Sequence, residues 1–268
     1  MIDQYPDLLE ALQAPDAKVV FLTGAGISLA SGIPTFRGSD PDAIWAKDVM
    51  EMGTFSYFRQ HPANQWEWYL NRFTACRTAK PNNAHYAVAT LEKKLQAAGK
   101  TFTIITQNVD GLHLGAGSEN VIEIHGSARK MRCANTSCAN GGQDGFLPWD
   151  DNVFEAFLAE PTYEKLPRCP LCGDLMRAHV LWFDESYADH TDYHLEDAYN
   201  ALENATCMIC VGTSFSVGIT DIALFFGLHG SGIPFFVLDP NLTKPPVEGT
   251  ALIPEASEVF LPKLAEIL

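Results

Sequence analysis

The sequence predicts an α/β fold, a doubly wound parallel sheet interrupted by a smaller inserted module. Three observations predict it. Five short apolar runs rich in β-branched and aromatic residues recur along the chain, helix-periodic segments lie between them, and one stretch breaks the rhythm with four paired cysteines. Continuous rather than alternating apolar runs suit strands covered on both faces. Strands alternating with helices suit a doubly wound sheet.

The first run is VVFLTG (19–24). Residues 38–82 follow, Trp-rich and read as a helical insertion. Within them QWEWYLNRF (65–73) puts Trp66, Tyr69, Leu70 and Phe73 at helical spacing, an apolar face for the core. In AHYAVATLEKKLQAAGK (84–100), Ala84, Ala87, Val88, Leu91, Leu95 and Ala98 repeat on one helical face, and Gly99 supplies the stop. FTIITQN (102–108) and VIEIHG (121–126) are the second and third strands. Residues 127–178 read as the insert, with NVFEAFLAE its one short amphipathic piece. A helical pattern around DYHLEDAYNALENA precedes the fourth strand, TCMICVG (206–212), and IPFFVLD (233–239) is the fifth. The main domain therefore spans 1–126 and 179–268, the small one 127–178.

With 268 residues, 47% apolar and 19% charged, the chain has material for a large core plus a small module. Its formal net charge of −15 repels phosphate backbones and anionic lipid. The expectation is no nucleic acid and no membrane partner; basic partners such as lysine-bearing protein tails fit better. MIDQYPDLLE has no basic region followed by a long apolar run, and no apolar stretch approaches the ~18 residues of a membrane span. A cytoplasmic location is expected, and the oligomeric state stays open.

Cys133 and Cys138 form a C-x4-C knuckle, Cys169 and Cys172 a C-x2-C knuckle. Four thiolates make a closed tetrahedral zinc site with no open position, so the predicted zinc is structural. Cys207 and Cys210 fall inside a predicted strand, where pleating puts them on opposite faces; they read as core. Cys76 has no partner in the sequence.

The strands end in GAGIS, QNVDGLH, HG, GTS and DPN. Ligands of open α/β sheets bind outside the carboxyl ends of the strands, and all five ends carry small or polar residues. Gly24 and Gly26 allow close backbone approach to a pyrophosphate, or simply make a tight strand–helix turn. Asn108 and Asp110 can pair with a carboxamide, or close an Asx turn. His125 is a base or a satisfied core residue. Convergence at one sheet edge favours the ligand reading.

TGAGISLASGIPTFRG (23–38), TQNVDGLH (106–113), IHG (124–126), the two knuckles, RAHVLWFDE (177–185) and VGTS (211–214) occur in the sirtuin order. From about residue 19 to its end the chain resembles the sirtuins, NAD-dependent protein lysine deacylases. The resemblance implies a Rossmann-type domain, a smaller zinc-ribbon module with one structural zinc ion, NAD as cofactor and acyl-lysine proteins or peptides as substrates. It implies that Gly24, Ala25, Gly26, Phe36 and Arg37 form the cofactor loop. Asn108 and Asp110 would hold the nicotinamide carboxamide, with Gln107 near the ribose. Gly212, Thr213 and Ser214 would contact the adenosine side, with Asp239 and Ala256 nearby. His125 would be the general base. Val180, Leu181 and Trp182 would pair with the substrate backbone, with Phe183 beside them.

Thr35 in GIPTFRG and the pair Tyr69 and Arg72 look most like the class III branch, which favours succinyl and malonyl groups. Tyr69 and Arg72 sit at i and i+3, neighbours on a helix surface. An arginine can hold a distal carboxylate bidentately and a tyrosine hydroxyl can add a hydrogen bond. The chain departs from the family at Asp184, where the pattern is F-G-E, at Ala178, where it is R-P, at Asp239, commonly Asn, and at Ala256, where a glycine is usual. An NAD glycohydrolase or ADP-ribosyl transferase on the same fold, and a non-catalytic NAD-sensing module, are the competing readings.

Overall fold

Branched apolar runs supply the strands of a six-stranded parallel sheet in the computed structural model, which describes residues 2–34, 47–230 and 232–268. Helix α1 (Pro6–Gln13) leads into β1 (Lys18–Thr23), which ends in a 3-10 segment over Ala25–Ser31. Helices α2 (Lys47–Met52), α3 (Phe55–Gln60) and α4 (Pro62–Thr78) are the described part of the helical insertion. Thr35, Phe36 and Arg37 lie outside the described residues. Helix α5 (Asn83–Ala97), capped by the Asn82 side chain, feeds β2 (Thr101–Thr106), α6 (Leu112–Gly115) and β3 (Val121–Glu123). The insert contributes β4 (Gly126–Cys133), β5 (Leu147–Pro148), α7 (Glu155–Ala159) and β6 (Met176–Val180). The chain then returns through α8 (Leu195–Glu203), β7 (Cys207–Val211), α9 (Gly218–Leu224), β8 (Phe235–Leu238), β9 (Ala251–Ile253) and α10 (Ser257–Ile267).

The strand order is β3-β2-β1-β7-β8-β9. The chain moves outward from β1 on one side and then crosses to β7 on the other. The switch point therefore lies between β1 and β7. The pleat sorts the core. Val19, Phe21, Cys207 and Ile209 pack on one face with α5 and α10; Val20, Leu22, Met208 and Cys210 pack on the other with α8 and α9. Cys207 and Cys210 thus take opposite faces, as the pleat requires. A third cluster joins Trp66, Tyr69 and Phe73 of α4 to Phe154 and Met176 of the insert. The Trp66 indole N–H donates to the Met176 carbonyl at 2.9 Å.

The fold corrects several details. A sixth strand, β9, completes the sheet; its apolar run is closed after three residues by Pro254 and carries no polar strand-end motif. The third strand stops at Glu123, and Gly126, at φ 76°, turns the chain into β4. Ala98 is the exposed C-cap of α5 rather than part of its buried face. The insert holds an antiparallel sheet, β5-β4-β6, that runs slightly past both ends of 127–178. No described helix is long and apolar enough to cross a membrane.

Gly26 has to be glycine: a Cβ there would lie 2.6 Å from the Gly212 Cα. Gly26→Ala should destabilise the fold by about 1–3 kcal/mol, the range of overpacking changes, seen as a lower denaturant midpoint at unchanged slope.

Candidate active site

A cavity of about 830 Å³ opens at the switch point. Gly24, Ala25 and Gly26 line it from β1, Gln107 and Asn108 from β2, and His125 from the turn after β3. Gly212, Thr213 and Ser214 follow β7, Asp239 follows β8, and Ala256 is the N-cap of α10. Trp68, Tyr69 and Phe73 of α4 face Val180, Trp182 and Phe183 across it. The expected site residues that the structure describes therefore converge, except Asp110 and Arg72, which do not line the cavity.

The first two strand ends are tied together. The Gly26 N–H donates to the Gly212 carbonyl at 2.9 Å. The Asn108 amide donates to the Gly24 carbonyl at 3.0 Å and to Ser28 Oγ at 3.1 Å. Ser28 Oγ in turn donates to Asp110 Oδ2 at 2.7 Å, and the Leu112 N–H donates to Asp110 Oδ1 at 2.9 Å. Asp110 is buried behind the wall, and that burial pushes its pKa up. It closes the Asx turn that starts α6 and, through Ser28, holds Asn108 in place. Gln107 Nε2 donates to Thr213 Oγ1 at 3.0 Å, linking β2 to the loop after β7. The sequence reading passed over Ser28, the last residue of GAGIS.

His125 Nδ1 lies 2.9 Å from the Gln107 carbonyl oxygen. A carbonyl only accepts, so Nδ1 carries the proton of the neutral ring and Nε2 keeps its lone pair. Burial lowers the pKa of the imidazole to about 4, the Gln107 carbonyl acting weakly the other way. At neutral pH His125 is an uncharged base.

The opposite wall rests on Glu185. Its carboxylate accepts from Arg132 Nη2 at 3.1 Å, from Arg177 Nη1 and Nη2, and from the Trp182 N–H at 2.9 Å. Burial pushes this carboxyl up, but the Arg177 and Arg132 guanidinium groups outweigh it and hold it below the usual range. The Arg177 guanidinium also stacks 3.5 Å from the centre of the Trp182 ring. Leu181 N–H donates to the His125 carbonyl and Phe183 N–H to the Gly53 carbonyl. The N–H groups of Leu181, Trp182 and Phe183 are thus all engaged within the chain. Asp184 accepts from the Phe55 and Ser56 N–H groups at 2.7 and 3.0 Å. The departure from F-G-E therefore pins this wall to the start of α3. Asp184→Ala should lower stability by about 1 kcal/mol, the usual loss for a helix-capping oxygen, measured by denaturant unfolding.

On α4, Tyr69 is 3% exposed and stacks on Phe73 at 4.3 Å. Its hydroxyl has no hydrogen-bond partner among the described residues. The Arg72 guanidinium lies 5.8 Å from the Trp68 ring centre, and burial lowers its pKa.

In the insert the four thiols of Cys133, Cys138, Cys169 and Cys172 lie within 4.8 Å of one another. The Cys133–Cys172 and Cys138–Cys169 sulfur pairs are 3.5 and 3.7 Å apart. Tetrahedral Zn–S bonds of about 2.3 Å need sulfurs about 3.8 Å apart, so the set fits a structural zinc ion. The Asn135 N–H and the Asn140 amide donate to Cys133 and Cys169 sulfurs, which favours thiolates. Cys169→Ser should take bound zinc from one ion per chain to none by metal analysis, with loss of near-UV tryptophan signal as the small sheet loosens.

A parallel sheet with a cleft at its switch point, beside a four-thiolate insert, defines a doubly wound α/β protein of Rossmann type. The Sir2 family profile matches residues 24–218. The chain is 38% identical over 255 residues to an NAD-dependent protein deacylase of Pyrococcus furiosus, covering 94% of each. It is 36% identical over 246 residues to an NAD-dependent protein deacetylase of Sulfolobus acidocaldarius, covering 91% of this chain and 88% of the relative. Among solved structures it is similar to a Sir2 homologue in complex with NAD, at TM-score 0.76 and 32% identity, covering 98% of this chain and 93% of the other. A Sir2 variant with a deacetylated p53 peptide and 3'-O-acetyl ADP ribose superposes at TM-score 0.80 and 28% identity, covering 98% and 97%. The chain belongs to the Sir2 family.

Proposed function

We propose that the protein removes acyl groups from lysine side chains of proteins or peptides in an NAD-dependent reaction. The observation that carries this reading is His125, a neutral base whose Nε2 is unprotonated, on the wall of a cleft of dinucleotide size in a Sir2 chain. The relatives' names and the NAD and peptide complexes of similar structures support it. NAD supplies the ribose to which the acyl group passes, with one water consumed and nicotinamide, O-acyl-ADP-ribose and free lysine released.

The residues then take the following parts. Gly24, Ala25, Gly26, Gly212, Thr213 and Ser214 bring backbone close to the dinucleotide, and Asp239 and Ala256 flank its adenosine end. Asn108, oriented by Ser28 and Asp110, faces the nicotinamide carboxamide. His125 Nε2 takes the proton of a ribose hydroxyl as that oxygen attacks the transferred acyl carbon. Val180, Trp182 and Phe183 exclude water from the lysine stem. Since the N–H groups of residues 181–183 are engaged, a substrate strand would add through carbonyl oxygens or displace Gly53. The domain division at 127–178 separates this cleft from the zinc module.

The preferred acyl groups are acidic, succinyl or malonyl, with acetyl also accepted. A tyrosine hydroxyl buried at the cavity wall with no partner among the described residues supports a polar acyl end, and Arg72, one turn on along α4 but set back from the cavity wall, would supply positive charge on reaching in. Arg72→Met should abolish desuccinylation and spare or raise deacetylation on matched peptides; equal loss of both would mean a structural arginine. His125→Ala should abolish O-acyl-ADP-ribose formation by mass detection, and undiminished turnover would sink the deacylase reading. NAD consumption without acyl-lysine would favour a glycohydrolase. Because the neutral imidazole is the active form, activity is lost as pH falls through the His125 pKa. With that pKa near 4, the acid limb of kcat/KM should lie well below the ordinary histidine value of about 6.5.

A further inference from the structure

Tyr187 belongs to none of the motifs above, yet it touches the reacting nitrogen. It opens a short 3-10 turn, Tyr187–Asp189, held by a reciprocal cap. The Ala188 N–H donates to Ser186 Oγ at 3.2 Å and the Ser186 N–H to Asp189 Oδ2 at 2.8 Å. The Tyr187 ring stacks on His125 with centres 5.7 Å apart and planes 15° from parallel. Its hydroxyl lies 3.1 Å from His125 Nε2.

The polarity of that contact follows from the other side of the imidazole. Nδ1 donates to the Gln107 carbonyl, so Nε2 can only accept and the phenol must donate. Burial raises the Tyr187 pKa and the Asp221 carboxylate adds to it, while the backbone N–H of Ile219 acts the other way. That leaves the phenol's own proton for Nε2. Among the described residues the other titratable groups on the cavity wall are Tyr69, Glu185, Asp239 and Glu258. Among the described residues none of them is hydrogen-bonded to His125.

We propose that Tyr187 is a positioning residue for the base. In the free enzyme its hydroxyl holds the Nε2 lone pair in the place that a ribose hydroxyl must take, and it yields that place when the substrate arrives. The catalytic meaning rests on the deacylase reading; the hydrogen bond does not. A donor on the lone pair stabilises the neutral ring, because protonation of Nε2 breaks the bond. Removing the hydroxyl should therefore raise the His125 pKa.

The test is nitrogen NMR of the full chain with labelled histidine, His125 being assigned by the signal missing in His125→Ala. In Tyr187→Phe the Nε2 resonance at pH 7 should move downfield, toward that of an unbonded lone pair. The His125 pKa should rise by about half to one pH unit, the effect of one hydrogen bond. The acid limb of kcat/KM should move up with it. Tyr187→Leu, which also loses the ring, should give the same resonance change. An unmoved Nε2 resonance in both variants overturns the proposal, as does a fall in kcat with the acid limb unshifted. Moved resonances in the variants, together with a wild-type chain that shows no acyl-lysine turnover, would leave the contact standing and remove the deacylase reading instead.

Discussion

The site depends on the close approach of two backbone turns. Gly26 after β1 and Gly212 after β7 meet so tightly that neither has room for a side chain. Gly212 also adopts φ 59°, a left-handed conformation that favours glycine. Because β1 and β7 are neighbours on opposite sides of the chain's crossover, this contact seals the bottom of the crevice that an open parallel sheet leaves at its switch point. Gln107 and Asn108 then reach across the same point, so three strand ends share one hydrogen-bonded floor.

The facing wall is built by different means. Glu185 is largely buried, which by itself would be costly, but two guanidinium groups and a backbone N–H satisfy it. Arg177 stacks on Trp182, and Phe55 and Phe58 pack on the same indole. Asp184 ties this unit to α3, and the Trp66 indole ties α4 to the strand β6. The cysteine set lies at the far end of β4 and just before β6, so two strands connect the zinc module to the cleft. A cleft made this way has one rigid wall of glycine backbone and one wall of aromatic and ionic packing.

How much of this was legible depended on the length of the interaction. Five of the six strands announced themselves as apolar runs ending in glycine or a small polar residue, whereas β9 is three residues stopped by Pro254 that pair along the edge of β8. The cysteine knuckles were legible from spacing alone, but the antiparallel sheet that carries them was not, since its strands contain Arg129, Lys130, Arg132, Arg177 and His179 and lack a continuous apolar signal. Asn108 and His125 stood out as polar residues at strand ends. Ser28, Tyr187 and Glu185 did not, because their roles come from partners 62 to 82 residues away or from burial.

The sequence by itself determined the doubly wound class, the cysteine set that fits a metal and the set of strand ends that line the cavity. These follow from local periodicity, spacing and small residues, which act over a few positions. Only the tertiary structure decided that Asp110 stands behind the wall, that Asp184 caps a helix from another segment, and which nitrogen of His125 carries the proton. Those outcomes rest on burial and on hydrogen bonds between distant residues, and no local pattern encodes which carbonyl or hydroxyl will be brought within 3 Å of an imidazole.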